Sequence, residues 1–432
     1  MGQRDDLAAR IALGGRIAAM RLGGLALAVR GDPVARLMHR PWRIDPYPTY
    51  ATVRTPRRLV RSRTGIAAVG THALCESVLR DRRFGVRLSD GRPPFGGPDE
   101  ADAPGADGGS LLEPVDLSLL ALDPPDHTRL RRLAQPTFAP RRLEQYRASA
   151  ERVTARLLDE ATGRGGFDLV ADLASPLPIA VISELLAIPE VDAGRFARWG
   201  RALGTALDGV RSPAHARELT AATRGTRALF GDLVERRRVD PGDDVISHLV
   251  TALDGGGMTV DELLSLAQLL LVAGFETTTN LVGNAVRALQ TTPGQWERLV
   301  ADPSLAAGAV EETLRYDPPV QLTARIAHED LELDGVPLRR DSGVLVLLAA
   351  AGRDPEAHPD PDRFDLERVP TTSHLAFSGG AHYCLGAPLA RLEGEVALRL
   401  LAERMPRLRA TGRVVPRVAT VLRGPVRFPV AA

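Results

Sequence analysis

Apolar residues recur at three- and four-residue intervals along most of the chain, as in Leu74, Val78 and Leu79, Val153, Leu157 and Leu158, and Val181, Leu185 and Leu186. That spacing gathers them on one face of a helix. Strand-like pieces are short and few, around Leu59 to Val69, Leu331 to Leu338 and Val414 to Val421. The pattern predicts a mainly α protein with a minor β part and no internal repeat. Ser89 to Gly109, rich in Gly, Pro, Asp and Ala, reads as a mobile loop because helical pattern resumes on both sides.

One predicted helix stands out. Thr259 followed by Glu262 makes a capping box, and no proline interrupts the chain until Pro293. At ~1.5 Å per residue such a helix is about 45 Å long, enough to cross a large domain. Leu266 to Phe275 is apolar nearly all round, which marks a buried helix. Glu276, Thr277, Thr278 and Thr279 follow at once, and a buried Glu is costly unless paired or used. Either the helix surfaces there with its threonines in water, or the polar run belongs to a site.

Composition narrows the classes. A chain of 432 residues suggests two or three domains by length alone, and its 44% hydrophobic and 25% charged residues are those of an ordinary globular protein. A net charge of +1 argues against a general nucleic-acid binder. All 55 basic residues are Arg, which together with abundant Ala, Gly and Pro suggests a GC-rich bacterial genome. Two cysteines make no disulfide framework, and no run reaches the ~18 apolar residues of a membrane span, so a cytoplasmic location is expected. Before residue 45, Arg10, Arg16, Arg21 and Arg30 break an Ala/Leu/Gly-rich stretch. Leu22 to Val29 is short for a signal-peptide core; residues 1–44 are expected to form a helical extension that lies on the fold or touches a membrane surface.

Cys75 lies in an amphipathic helical pattern and reads as a small buried hydrophobe. Cys384 differs: glycines surround it in Phe377-Ser378-Gly379-Gly380-Ala381-His382-Tyr383-Cys384-Leu385-Gly386, and an apolar-faced helix follows. The helix N-terminus favours a thiolate there, the form that binds metal. Zinc would want three further ligands, and His382 is badly placed as a base for a cysteine nucleophile. A single thiolate ligand to haem needs only one Cys in a glycine loop.

Phe377, Gly380, His382, Cys384 and Gly386 resemble in spacing the haem-binding loop of the cytochrome P450 superfamily, with Ser378 where that family usually has Gly. A Ser fits there if its backbone angle is ordinary. Ala273-Gly274-Phe275-Glu276-Thr277-Thr278 resembles the family's oxygen-binding motif. The resemblance implies that Gly274 leaves room for haem and dioxygen. It implies that Thr277 turns its hydroxyl to the carbonyl of Ala273, loosening the helix, and that Glu276 takes the acid place. Glu312-Thr313-Leu314-Arg315 resembles the family's Glu-x-x-Arg helix, with Arg363 expected as the third member of a buried network. His127 and Arg131, Arg325 and His382 match residues that bind the haem propionates. Asp45-Pro46-Tyr47-Pro48 and Arg353-Asp354-Pro355 are further landmarks, so the resemblance runs from about residue 45 to the end.

The resemblance implies a single triangular helical domain over residues 45–432, against the length prior. It implies haem b with Cys384 as axial ligand, and a monooxygenase placing one oxygen atom of O2 into a hydrophobic small molecule, most often as a hydroxyl. Electrons would come from a ferredoxin or flavodoxin with its NAD(P)H-dependent reductase, because no flavin- or dinucleotide-binding segment is present. Arg129, Arg132 and Arg391 are expected to meet that partner. Phe84 to Leu122, Arg201 to Arg217, Val320 to Thr323 and Ala419 to Val421 are expected to line the substrate site. A peroxide-driven peroxygenase would not need Glu276 and Thr277, and a haem-binding sensor or carrier would need neither.

Overall fold

The computed structural model describes residues 15, 19, 21–55, 59–94, 118–163, 165–208, 210 and 212–432. The mobile loop expected at Ser89 to Gly109, and much of the substrate-lining stretch before Leu122, fall largely outside them. Residues 21–29 form helix α1. The other α-helices are α2 (Pro33–Met38), α3 (Tyr47–Arg54), α4 (His72–Arg80), α5 (Asp126–Ala134), α6 (Pro140–Thr162), α7 (Pro176–Leu185), α8 (Glu190–Gly204), α9 (Pro213–Val239), α10 (Val245–Asp254), α11 (Val260–Thr291), α12 (Gln295–Ala301), α13 (Ala306–Tyr316), α14 (Leu348–Ala351) and α15 (Ala387–Arg404).

Helix α11 is the long helix of the sequence analysis. Its capping box is formed in both directions: the Thr259 hydroxyl accepts from the Glu262 N–H, and the Glu262 carboxylate accepts from the Thr259 N–H. It packs against α7, α8, α9, α10, α12, α13 and α15, so it is an axle around which the helical part is assembled. Its apolar residues from Leu263 to Leu271 are buried almost without interruption, which is why that stretch shows no polar face.

The β part is one five-stranded sheet and three small ones among the described residues. The sheet has the order β1 (Val60–Arg61), β2 (Ala67–Val69), β8 (Gly343–Val346), β5 (Thr323–Ala327), β3 (Phe84–Gly85). Within the predicted Leu59–Val69 stretch β1 and β2 pair antiparallel, and Leu331–Leu338 forms the hairpin β6–β7. Of the predicted strand at Val414–Val421 only Val415–Pro416 is extended in a ladder; the rest is irregular and bonds sideways, with the Gln321 N–H donating to the Val421 carbonyl (2.9 Å). The two central strands, β5 and β8, lack a clear alternation in sequence because both of their faces are largely covered. Val34 and Leu37 of the N-terminal segment are buried with Tyr50, Val53 and Leu345, so that segment shares a core with the sheet.

Candidate haem-thiolate site

The Cys384 loop is set by backbone bonds at both ends. The Cys384 N–H donates to the Phe377 carbonyl (2.9 Å), and the Tyr383 N–H to the Gly380 carbonyl (3.2 Å). Gly380 has φ +64, and a Cβ there would meet the Leu79 carbonyl oxygen at 2.3 Å, so no other residue fits. Ser378 departs from the expectation of an ordinary angle: its φ is 62, in the left-handed region. Its hydroxyl accepts from the Arg325 guanidinium (3.2 Å), a contact a glycine could not make and one that offsets the backbone cost.

Cys384 keeps accessible surface although protein packs closely round its sulfur. Burial pushes its thiol upward, against the expectation of a favoured thiolate. The N–H groups of Gly386 and Ala387 and the Arg131 and Arg391 guanidinia oppose that push. The protein thus supplies donors for a thiolate whose charge must be shared with a bound cation. Cys75 behaves as expected: it is buried in α4, its thiol pushed up by burial. Among the described residues no group of three or more His, Cys, Asp and Glu is placed to hold a metal ion.

The propionate-type residues converge. His127 and His382 have ring centroids 4.2 Å apart. His127 Nδ1 and His382 Nε2 are buried without a hydrogen-bond partner, His382 Nε2 being 3.8 Å from the Asp123 carboxylate. Burial, with His382 beside it, lowers His127 to about 4. Arg325 is buried, its cation disfavoured by desolvation to about 10, and among the described residues it donates to Thr323, the Ala324 carbonyl and Ser378. Two imidazole nitrogens without a hydrogen-bond partner and a buried guanidinium bonded to no carboxylate among the described residues form a cradle shaped for an anion. Arg131 turns the other way and donates to the Tyr383 carbonyl (2.7 Å), bracing the cysteine loop.

On the middle of α11, Leu269, Val272, Ala273, Gly274 and Thr277 keep accessible surface while the residues between them are buried. Leu269, Ala273 and Thr277 recur every four residues and Val272 lies three from Leu269, so these side chains share one stripe. Thr277 donates its hydroxyl to the Ala273 carbonyl (2.5 Å), as the i to i−4 spacing predicts, but the helix continues through it without a break. Glu276, Thr278 and Thr279 are buried, so the reading of a helix surfacing with solvated threonines fails. The space beside Gly274 is directed at Ile182 of α7, 3.3 Å from a hypothetical Cβ, so its small size also serves helix packing.

Glu276 is raised by burial, and the Arg417 guanidinium, which donates to it, opposes that rise. Nothing in the sequence signalled Arg417, which lies in irregular chain about 140 positions away. Glu393 of α15 was also missed: it is fully surrounded, raised to about 8 by burial, with Thr278 as hydrogen-bond partner. That bond ties α11, one residue from Thr277, to the helix that opens after Cys384.

The expected charged network exists with one member changed. Glu312 and Arg315 pair through Nε and Nη2 (both 2.7 Å), and the third arginine is Arg368, 3.0 Å from Glu312. Arg363 points outward to Asp365, and only its carbonyl joins the network, accepting from Arg315 (2.9 Å) and Arg368 (2.7 Å). Of the expected partner-facing arginines, Arg129 is paired with Asp126 and Glu262, and Arg391 with Glu311; Arg132 is exposed.

Comparison with known proteins accords with this geometry. The model of the family described as cytochrome P450 matches residues 215–404. A putative cytochrome P450 140 of Mycobacterium tuberculosis is 42% identical over 409 residues, covering 93% of this chain and 92% of its own. The chain belongs to the cytochrome P450 family. The 6-deoxyerythronolide B hydroxylase of Saccharopolyspora erythraea is 45% identical over 71% of this chain and 76% of its own. The ligand-free crystal structure of Mycobacterium smegmatis CYP164A2 superposes with a TM-score of 0.82 at 38% identity, covering 93% of this chain and 99% of that one. The protein is thus a P450 monooxygenase of bacterial type, whose family cofactor is haem held by a cysteine thiolate. The histidine–arginine cradle and the glycine loop fit that cofactor. No helix of the described residues is long and apolar enough to cross a membrane.

Proposed function

We propose that this P450 hydroxylates a hydrophobic small molecule, with Cys384 as the iron ligand and Thr277 as the residue that manages protons. The single observation carrying the reading is the accessible stripe on the largely buried middle of α11, with one hydroxyl at its polar end. Haem, when bound, supplies oxygen activation and transfer. His127, Arg325 and His382 would hold its carboxylates, Phe377 and Gly386 would border it, and Arg131 would keep the cysteine loop in place.

Thr277 holds its hydroxyl hydrogen on the Ala273 carbonyl, leaving its oxygen lone pairs to accept from a water in the stripe. Glu276 sits one residue away, its carboxylate drawn aside by Arg417. It is the acid that would replenish that water when the ion pair loosens. Leu269, Val272 and Ala273 present apolar surface to the substrate. The segments Val320–Thr323 and Ala419–Val421 meet through the Gln321–Val421 bond and the Val320–Leu422 bridge, which supports a shared role in lining the site. Relatives named as hydroxylases support hydroxylation. A cytoplasmic enzyme served by a ferredoxin or flavodoxin and its NAD(P)H-dependent reductase fits this reading, with Arg132 on the docking face.

The test is coupling. Thr277→Ala should bind haem and substrate and still consume NAD(P)H, while product per NAD(P)H falls and hydrogen peroxide release rises. Groups that position protons typically contribute ~100-fold or more to their step. Thr279, buried and donating to the Phe275 carbonyl (3.0 Å), lies off the stripe, so Thr279→Ala should leave coupling intact. Unchanged coupling in Thr277→Ala would remove its assigned role.

A further inference from the structure

Helix α1 packs on the body through one face. A Cβ on Gly24 would lie 2.5 Å from the His39 ring, Ala28 is buried, and the Ala28 carbonyl accepts from Arg36 (3.1 Å). The opposite face carries Leu22, Leu25, Ala26 and Val29, and these side chains are left outside: Leu22 is 69% exposed, Leu25 39% and Val29 67%. At ~100° per residue they occupy one arc of about 100°, with Arg21 on one flank and Arg30 on the other. Residues 16–44 hold six arginines (Arg16, Arg21, Arg30, Arg36, Arg40, Arg43) and one acid, Asp32. That acid is turned inward, accepting from the Ser62 hydroxyl and the Arg63 and Ala35 N–H groups. Met38 and Ile44, in the same segment, are also exposed.

We propose that this N-terminal face docks the enzyme on an anionic lipid bilayer surface, with α1 lying in the plane of the headgroups. A row of large apolar side chains bordered by arginines on both sides fits that interface. The apolar arc enters the acyl boundary while the guanidinia stay at the phosphates. The charge surplus selects this occupant: a second copy of the chain would bring a second set of the same cations. The helix would lie on the surface and not span, because the apolar arc of its described residues 21–29 is one-sided and no helix of the described residues is long and apolar enough to cross a membrane.

The experiment is co-sedimentation of the full-length, haem-loaded protein with vesicles. Binding is expected to phosphatidylglycerol-containing vesicles, to be at least about tenfold weaker on pure phosphatidylcholine, and to weaken as salt shortens the screening length from ~10 Å at 0.1 M to ~3 Å at 1 M. Leu22→Asp/Val29→Asp should abolish it with the thermal melt unchanged. Arg21→Glu/Arg30→Glu, which leaves the apolar arc intact, should weaken it about tenfold or more. Absence of sedimentation, equal binding to both vesicle types, or insensitivity to the arginine reversals would overturn the proposal. So would a wild-type dimer in gel filtration that Leu22→Asp/Val29→Asp converts to monomer, since the face would then be an interface between copies.

Discussion

Cys384→Ala is expected to abolish NAD(P)H-driven product formation, while Cys75→Ala retains it. The two cysteines differ in everything that matters to ligation. Cys384 stands just before α15 in a glycine-shaped loop, with accessible surface, N–H donors and two guanidinia around its sulfur. Cys75 lies inside α4, with its thiol near the carbonyls of Val69 and Leu347 and no route to a cofactor. The Cys384 variant should keep its fold, since its side chain packs no core, and its haem content after purification should drop sharply. The Cys75 variant should keep its haem and instead melt slightly lower, because truncating a buried side chain leaves a small void. Both are checked by turnover with surrogate redox partners, iron content and a thermal melt. Turnover surviving in Cys384→Ala, or lost in Cys75→Ala at full haem loading, would reverse the assignment.

The second large effect falls far from the chemistry. Arg315→Ala should destabilise the protein by ~3–5 kcal/mol, as expected when one partner of a buried ion pair is removed. Arg315 gives five hydrogen bonds: two to the Glu312 carboxylate and one each to the carbonyls of Gly352, Pro361 and Arg363. Its loss takes the buried bidentate partner from the Glu312 carboxylate, whose side chain is 3% exposed, leaving it Arg368 and the Asp365 N–H, and releases the Gly352 and Pro361 carbonyls in the chain that leads into the cysteine loop. Arg368→Ala should show the same kind of loss, smaller because the Arg368 side chain is 14% exposed against 4% for Arg315. Arg363→Ala should cost less than ~0.5 kcal/mol, the usual range for a surface side chain. Denaturant unfolding of the three variants separates them. Equal losses for Arg363→Ala and Arg368→Ala would contradict the arrangement described.

That contrast shows where sequence was informative. The pair Glu312–Arg315 was legible because helical periodicity places i and i+3 together. The third arginine was not, because it sits in irregular chain where spacing carries no geometry; Arg363 and Arg368 are equally plausible until the turn at Asp360 to Asp365 is seen. The same division runs through the site. Thr277 and Ala273 met as predicted because four residues of helix fix their distance. The Glu276–Arg417 pair was hidden because its second member arrives from the C-terminal segment, although a lone Glu in an apolar run signalled that a partner existed. Glu393 carried a fainter signal, a carboxylate beside Leu389, Leu392 and Val396 on the buried side of α15. Ser378 looked like a mild departure from a glycine; only the fold shows that it holds a left-handed angle and bonds Arg325. The helices were readable from period, whereas β5 and β8, covered on both faces and only five and four residues long, offered too little pattern.

The central claim is that the haem of this P450 is held by one thiolate, and the absorption spectrum of the reduced protein under carbon monoxide tests it most directly. The arrangement around Cys384 predicts the strongly red-shifted Soret band of a thiolate-ligated haem in the wild-type protein. A band at the position given by histidine-ligated haem, in freshly prepared and fully folded protein, would contradict it.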